Sequence, residues 1–278
     1  MKKISRRSFM AAAAVSVAAL AMTACGGSAS SAASSVASSA ASSEAVSSAA
    51  AADLTTVEAG KLTMATNAAL PPYEMTTDAG EFEGIDVDTA KAIAEKLGLE
   101  LQIDDMDFDA ALLSVQQGKA DIVMAGVTVT DERKAVMDFS DSYATGIQSI
   151  IVPNDSDIAS PDDLAGKKIG TQRGTTGYIY CSDDFGDENV VAYDDGLTAV
   201  QALNNGQVDA VVIDNAPAQE FVAANPGLKV LDTSYAEEDY AIGMAKGSAL
   251  EDAVNKALEE LKADGTLQAI VDKYINAN

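Results

Sequence analysis

The chain has 278 residues, with 43 Asp and Glu against 18 Lys and Arg, for a formal charge of −25. This acidity argues against a nucleic-acid-binding surface, because phosphates require clustered Lys and Arg. The sequence contains no His, which excludes Ser-His-Asp triads, Cys-His pairs and His-ligated metals, and we expect no metal or other cofactor. With 47% apolar residues, the chain can bury the core of one large or two modest domains.

Residues 1–24 are typical of a signal peptide. Four cations precede an apolar stretch from Phe9 to Met22, which is shorter than the roughly 20 residues that cross a bilayer. Small residues then lead to Cys25 in a pattern that resembles the lipobox of bacterial lipoproteins, so we predict lipidation of Cys25. An ordinary secretory signal is the alternative, and Arg6-Arg7 leaves open whether export uses the general or the twin-arginine route.

Residues 25–53 are predicted to be the lipidated Cys and a flexible tether. The segment from Gly26 to Ala52 consists almost entirely of Gly, Ala and Ser, which cannot bury enough surface to fold. The lipid would hold the protein on the outer face of the cytoplasmic membrane, and the long tether favours a Gram-positive cell surface. Cys181 then has no partner for an intrachain disulfide, and we interpret it as a small half-buried side chain.

From residue 54 onward, short β-branched runs alternate with helical periods, which is typical of an α/β fold. The predicted strands are 61–66, 122–125, 168–171 and 210–213. The predicted helices are 86–97, 109–117, a short one capped by Ser160-Pro161, 197–204, one opened by a capping box at 248–251, and a last one from Thr266.

One segment occurs twice. Residues 112–123 parallel residues 200–211 at an offset of 88, and both are predicted to be a helix, a Gly, two residues, an Asp and a buried strand. The repeat indicates either two lobes built on one plan or merely a common connector, and we favour the lobes. A cleft between them, at the carboxyl ends of the strands, would be a natural ligand site.

Polar residues suited to binding follow the predicted strands. After the strand 122–125, Gly126 permits close backbone approach, Thr130 can cap a helix and Arg133 lies in its first turn. Free N–H groups and a guanidinium form a receptor for a carboxylate, whereas Asp214 suits an ammonium. Together they would complement a zwitterionic α-amino acid. Alternatively, Arg133 is a solvated helix residue and Asp214 a helix cap.

An ordered set of motifs resembles the bacterial extracellular solute-binding proteins of family 3, the polar amino-acid receptors of ABC importers. The set covers essentially all of residues 54–278. Its landmarks are 84–94 (GIDVDTAKAIA), 105–109 (DMDFD), 125–133 (AGVTVTDER), 137–143 (MDFSDSY), 164–170 (LAGKKIG), 206–210 (GQVDA) and 262–266 (KADGT).

The resemblance implies an α/β, two-lobed periplasmic-binding-protein-like fold of type II, with the lobes joined by two hinge strands. Lobe 1 would comprise residues 54–148, lobe 2 residues 149–241, and residues 242–278 would return to lobe 1. We expect the hinge strands near residues 147–152 and 239–244.

The resemblance also implies the ligand-binding residues. Arg133 would bind the α-carboxylate and Asp214 the α-ammonium. The assisting groups would be the Gly126 N–H, Thr128, the Thr175-Thr176 loop and the Ala125 carbonyl. The ligand side chain would lie among Asn67, Leu70, Phe108 and Gln172, where relatives often carry Asp in place of Asn67 and an aromatic ring in place of Leu70.

The implied function is that of an extracytoplasmic substrate-binding lipoprotein of an ABC importer, without catalysis. Its partners would be a free amino acid, the membrane permease subunits and the membrane itself, with the protein a monomer. Asn67 disfavours cationic side chains, so a neutral polar ligand such as glutamine is favoured, whereas Arg173 would suit an acidic one. The alternative is a secreted dehydratase resembling cyclohexadienyl dehydratase, with Asp214, Asp107 or Asp109 as general acid.

Overall fold

The computed structural model describes residues 54–275. The predicted signal peptide, Cys25 and the tether lie outside the described residues. No helix within residues 54–275 is long and apolar enough to cross a membrane.

The strands of residues 54–275 form two central sheets and one small sheet. They are β1 (Lys61–Thr66), β2 (Ala69–Leu70), β3 (Glu74–Thr76), β4 (Phe82–Glu83), β5 (Glu100–Asp105), β6 (Ile122–Val123), β7 (Met137–Phe139), β8 (Ala144–Pro153), β9 (Ile169–Gln172), β10 (Val190–Tyr193), β11 (Ala210–Asp214), β12 (Leu228–Val230), β13 (Ala236–Tyr240) and β14 (Gly243–Ala245). The first sheet has the order β5-β1-β6-β14-β7, the second has the order β10-β9-β11-β8-β12 with β13 also paired to β8, and β2-β3-β4 form the small sheet.

Eight α-helices of the described chain pack around these sheets. They are α1 (Ile85–Leu97), α2 (Phe108–Gln116), α3 (Asp131–Val136), α4 (Thr176–Phe185), α5 (Gly196–Asn204), α6 (Asn215–Ala224), α7 (Glu251–Ala263) and α8 (Thr266–Ile275), with short 3-10 helices at Pro161–Leu164 and Asp187–Asn189.

Each central sheet is the core of one α/β lobe, as the resemblance implied. Three neighbouring strands of each sheet run parallel, namely β5-β1-β6 in lobe 1 and β10-β9-β11 in lobe 2. Helix α1 shows why the helices pack as they do, since its apolar face, including Val87 and Ile93, is buried in the lobe 1 core. It ends at Gly98, which adopts a left-handed conformation with φ 70°. This helix and its end confirm the prediction for residues 86–97.

The repeated segment corresponds to the same structural unit in both lobes. Helix α2 and strand β6 in lobe 1 begin 88 residues before α5 and β11 in lobe 2. The repeated Asp makes the same kind of bond in each: Asp121 Oδ2 accepts the Thr63 N–H at 2.7 Å, and Asp209 Oδ2 accepts the Lys168 N–H at 2.7 Å. The carboxylate fixes the neighbouring strand in both cases, so the interpretation as two lobes on one plan is correct.

The chain passes between the lobes twice. Strand β13 pairs antiparallel with β8, with Ala144 opposite Tyr240, and β14 then joins the lobe 1 sheet. The return crossing between β13 and β14 agrees with the predicted segment 239–244. The predicted outward crossing at 147–152 is wrong, because residues 148–153 pair with β11 and β12 inside the lobe 2 sheet. Its β-branched residues are buried sheet core, and the crossing lies just before them.

Three predicted details of helix capping and the thiol can be checked. Thr130 caps α3 by accepting the Arg133 N–H at 3.2 Å, as predicted. The predicted capping box at 248–251 is wrong, because Ser248 Oγ accepts the Leu250 N–H at 3.2 Å and α7 begins without a side-chain cap. Cys181 has a free thiol, as expected, but its side chain is fully buried rather than half-buried, and burial raises its pKa to about 12.

Candidate functional site

A cavity lies between the lobes, where β1, β6, β9 and β11 end. It holds about 490 Å³ of space between atoms, including open solvent at its mouth. All eleven residues predicted to surround a ligand line it: Asn67, Leu70, Phe108, Ala125, Gly126, Thr128, Arg133, Gln172, Thr175, Thr176 and Asp214. The structure therefore brings them together, while their contacts with a ligand stay a prediction.

Arg133 is fixed on the lobe 1 side of this cavity. It lies in the first turn of α3, which Thr130 caps, and it is only 9% exposed. Its Cζ atom lies 5.4 Å from the centroid of the Phe108 ring. Nη1 donates to the Thr128 carbonyl at 2.8 Å, and Nη2 donates to the Gly174 carbonyl of lobe 2 at 3.1 Å. The alternative of a solvated helix residue is thus wrong, because Arg133 is buried.

The Arg133 guanidinium has hydrogen-bond donors that no described residue uses. A guanidinium carries five N–H donors, and two of them are used by the carbonyls. No ion pair to Arg133 occurs within residues 54–275. Burial lowers its pKa, and the charge of nearby Glu238 opposes this effect. A buried cation with free donors is suited to an incoming carboxylate.

Asp214 lies on the lobe 2 side, at the junction of β11 and α6. Its Oδ2 accepts the Ile147 N–H at 2.7 Å and its Oδ1 accepts the Ala216 N–H at 3.1 Å. The helix-cap alternative is therefore correct as a structural role, but it leaves lone pairs for a further donor. The side chain is 4% exposed, and burial raises its pKa to about 6. No described Lys or Arg forms an ion pair with it.

The assisting groups differ from expectation at Gly126. Its N–H donates to Asp86 Oδ2 at 2.9 Å, so this N–H is already engaged and its predicted contact with a ligand carboxylate is not supported. Thr128 Oγ1 lies 3.3 Å from Thr176 Oγ1 of lobe 2 and donates to Glu238 Oε2 at 3.1 Å. The Thr128 hydroxyl therefore joins the two lobes beside Arg133.

The other end of the cavity is polar and neutral. Gln172 Nε2 donates to Asn67 Oδ1 at 2.8 Å across the cleft and to the Asp194 carbonyl at 3.3 Å. Asn67 Nδ2 donates to the Met106 carbonyl at 3.0 Å. Both Gln172 donors are thus used, and its Oε1 has no described donor. Leu70 supplies the apolar wall here together with the Phe108 ring.

Arg173, Asp107 and Asp109 do not line this cavity. The Arg173 guanidinium is exposed and lies 3.7 Å from Asp194 Oδ1. All three residues line a separate surface cavity. Because Arg173 lies outside the interlobe cavity, it no longer supports an acidic ligand. Of the three candidate general acids, Asp214 lines the interlobe cavity and Asp107 and Asp109 do not.

Sequence reasoning missed several residues of the cavity wall. The structure adds Glu74, Gln148, Val212, Ile213 and Tyr240. Glu238 lies close behind the wall, where its Oε2 accepts from Gln148 Nε2 at 2.9 Å. A signal existed for Glu74, which ends the proline-stiffened loop after β1, and for Tyr240, which lies in the predicted return crossing.

Comparison with known proteins places this geometry in a family. The sequence model of the bacterial extracellular solute-binding proteins, family 3, matches residues 62–277. The L-cystine-binding protein TcyJ of Escherichia coli K12 is 33% identical over 225 residues, which cover 80% of this chain and 85% of that protein. The arginine-binding extracellular protein ArtP of Bacillus subtilis is 34% identical over 224 residues, covering 77% and 86%.

Solved structures agree. The arginine-, lysine-, histidine-binding protein ArtJ from Geobacillus stearothermophilus superposes with a TM-score of 0.75 at 34% identity, covering 78% of this chain and 96% of that one. An ancestral arginine-binding protein bound to glutamine gives a TM-score of 0.74 at 42% identity, covering 78% and 98%. With its two lobes and interlobe cavity, the chain belongs to the bacterial extracellular solute-binding proteins of family 3.

Proposed function

We propose that this protein captures a polar α-amino acid between its two lobes and delivers it to the permease of an ABC importer. The observation that carries the proposal is the pair of opposite charges facing one cavity, with Arg133 from lobe 1 and Asp214 from lobe 2. Each is buried and has no ion-pair partner among residues 54–275, so an α-carboxylate and an α-ammonium would supply the missing partners. The names of the relatives, which bind cystine or arginine, support an amino acid as ligand.

The binding step would close the lobes over the amino acid. Four contacts already cross the cleft beside the cavity: Asn67 with Gln172, Thr128 with Thr176, Thr128 with Glu238, and Arg133 with the Gly174 carbonyl. Closure removes water from the site and strengthens both ionic contacts. The permease subunits would then recognise the closed form.

For the ligand side chain we favour a neutral polar group such as that of glutamine. Asn67 and Gln172 are uncharged, and the free Oε1 of Gln172 would accept a hydrogen bond from an amide NH₂. The ancestral protein bound to glutamine shows that a related site takes this ligand.

A basic side chain is the second candidate. The buried carboxyl groups of Glu74, Asp214 and Glu238 outnumber the single buried guanidinium of Arg133 around the cavity. A cationic side chain would offset this excess of negative charge. The name of the relative ArtP, an arginine-binding extracellular protein, supports a basic ligand as the second candidate.

We propose no catalytic role. A dehydratase needs a general acid at a ring substrate, and Asp214, the one candidate that lines the cavity, already accepts two backbone N–H groups. Incubation with prephenate or arogenate should therefore leave both compounds unchanged.

The location of the protein is also part of the proposal. Residues 1–24 would be removed as a signal peptide, and a lipid on Cys25 would anchor the protein by the tether of residues 26–53 outside the cytoplasmic membrane, as a monomer. Mass spectrometry of the membrane fraction should find a diacylglycerol-modified Cys25 at the mature N-terminus. A mature protein without lipid that partitions into the medium would contradict the anchor.

Thermal-shift screening of the 20 amino acids tests the binding function. A ligand at 100 times its dissociation constant adds about 2.7 kcal/mol to the free energy of unfolding, which raises the melting temperature by about 5–10 °C in a protein of this size. The largest shift is expected with glutamine. A larger shift with arginine would favour the second candidate, and no shift with any amino acid would contradict the function.

A further inference from the structure

Two further carboxyl groups are buried at the wall of the interlobe cavity. Glu74 on β3 lines the cavity, Asp86 on α1 lies beside it, and both are 0% exposed. Glu74 Oε1 and Oε2 and Asp86 Oδ1 are buried and have no described hydrogen-bond partner, whereas Asp86 Oδ2 accepts the Gly126 N–H. As two ionised carboxylates, this pair would leave three buried oxygens without a donor, which is costly.

The groups that face the pair do not offset its charge. The acids that act on Glu74 are Asp86, Asp105 and Asp214. The phenols that act on the pair are Tyr73 and Tyr143, both neutral because burial raises the pKa of each well above its usual value. The Tyr143 hydroxyl lowers the pKa of Asp86, but this effect is smaller than that of burial. Arg133 binds the Thr128 and Gly174 carbonyls, and within residues 54–275 no Lys or Arg forms an ion pair with Glu74 or Asp86.

One proton between the two acids resolves this arrangement. A proton on one of the two carboxyl groups removes a buried charge and the repulsion between two buried anions. Burial, followed by the charge of Asp86, raises the pKa of Glu74 well above its usual range, and burial raises the pKa of Asp86 to about 6. Since the groups interact, the proton belongs to the pair rather than to one residue.

We propose that Glu74 and Asp86 form a proton-binding site of the amino-acid cavity, which holds one proton when the cavity is empty and releases it when the ligand's ammonium group binds beside Asp214. The proposal rests on the proposed function, because it needs an ammonium at Asp214. In this proposal Glu74 is a second recognition residue for the ligand's ammonium group, because its negative charge after proton release attracts that group.

The release step is a simple acid dissociation. The O–H bond of the protonated carboxyl group breaks, its electron pair stays on the oxygen, and the proton passes through water in the open cleft to a buffer base. The pair changes from one negative charge to two, and the positive charge of the ammonium offsets the difference. The charge of Asp214 acts on Glu74 and raises its pKa, so an ammonium at Asp214 should weaken proton binding by the pair about tenfold or more at an effective dielectric constant of about 20.

Calorimetry in buffers of different ionisation enthalpy counts the protons released. The titrations use the purified protein at pH 7.5, where Asp214 is ionised. The ligands are L-glutamine and L-arginine, and if neither binds, the amino acid that gave the largest thermal shift is used. The parent should release about 0.3 to 1 proton per amino acid bound. Glu74→Gln, whose amide has the shape of the neutral acid, should bind with release below 0.1 proton. Glu81→Gln, an exposed acid of the same small sheet, should match the parent.

Binding without proton release in the parent would overturn the proton site and leave the amino-acid function intact, as would unchanged release in Glu74→Gln. Absence of binding to any amino acid would overturn both proposals. If Glu74→Gln does not fold, infrared difference spectra of the parent decide. Loss of a protonated-carboxyl C=O band on addition of the amino acid supports the proton site, and an unchanged band contradicts it.

Discussion

Gln172 Nε2 of lobe 2 donates a 2.8 Å hydrogen bond to Asn67 Oδ1 of lobe 1. These two amides bridge the cleft and line the same cavity as the Arg133 guanidinium. They present no charge to a ligand side chain, so the residue at position 67 should decide whether a cationic side chain is accepted.

Asn67→Asp should increase the affinity for L-arginine relative to L-glutamine by about tenfold. The new carboxylate can still accept from Gln172, and it would offer a cationic side chain a charge-assisted bond worth about 1.5 kcal/mol more than a neutral one. Calorimetry with both amino acids measures the ratio. Asn205→Asp adds the same charge at an exposed position far from the cavity and should leave the ratio unchanged; an equal effect of both variants would show that only the overall charge matters.

Arg133→Ala should abolish most of the amino-acid binding. An α-carboxylate buried without its cation costs about 2–5 kcal/mol, so the affinity should fall by about 30-fold to several thousand-fold. The free energy of unfolding should change by only about 1–2 kcal/mol, because the side chain bonds two backbone carbonyls in the empty protein. Arg173→Ala removes an exposed guanidinium outside the cavity and should bind like the parent. Binding by Arg133→Ala at parental affinity would mean that the carboxylate lies elsewhere.

Affinity should depend on pH through Asp214. Burial raises its pKa to about 6, and only the ionised form attracts an ammonium, so the affinity should fall about tenfold as the pH drops from 7 to 5. Asp214→Asn should bind weakly and lose the part of this dependence that comes from position 214, keeping only the part that proton release from Glu74 and Asp86 adds. Asp183→Asn, at an exposed position, should follow the parent. A parent affinity that is constant between pH 5 and 7 would contradict the ionic role of Asp214.

The stability of the empty protein should show the opposite trend. The folded pKa of Asp214 lies above the usual value of 3.8, so the folded state binds this proton more tightly and its contribution to stability is lost as the pH rises from about 4 to 6. Relative to Asp214→Asn, the parent should lose up to about 3 kcal/mol of unfolding free energy over that interval. Urea denaturation of both proteins at several pH values measures this difference. A parent that gains stability relative to Asp214→Asn over the interval would contradict the burial of Asp214.

The sequence was sufficient to bring Arg133 and Asp214 to one predicted site because each follows the end of a strand in a different lobe, where a cleft between the lobes is expected, and because the resemblance to family 3 implies both ligand contacts. It was not sufficient for Glu238. Strand β13 contains Glu237, Glu238 and Asp239 in succession, which suggests a solvated segment, yet Glu238 is buried while its neighbours are exposed. Which of three adjacent acids faces inward depends on the pairing of β13 with β8, and this register is set by tertiary contacts.

Glu74 was missed for a related reason. It follows two prolines and a tyrosine, a context typical of an exposed turn, but Glu74 is fully buried on β3, and Gly84 packs directly against the carbonyl of the preceding Tyr73. Burial of an acid beside a second acid runs against the rule that buried charges are paired. No pattern in composition or periodicity predicts such an exception.

Gly84→Ala should test the close contact that holds this small sheet. Gly84 has φ 133°, and a Cβ atom there would lie 2.2 Å from the Tyr73 carbonyl oxygen. We expect a loss of about 3 kcal/mol or more in urea denaturation. Gly80→Ala is the matched control in the same sheet, with φ 78° and no atom within 4 Å, and should cost about 1–2 kcal/mol. Equal losses in the two variants would contradict the contact.

A crystal structure with the amino acid that gives the largest thermal shift tests the central claim most directly. We expect the ligand's carboxylate within hydrogen-bond distance of the guanidinium of Arg133 and its ammonium within hydrogen-bond distance of the carboxylate of Asp214. An amino acid bound in the cavity with neither of these contacts would contradict the proposed mode of recognition.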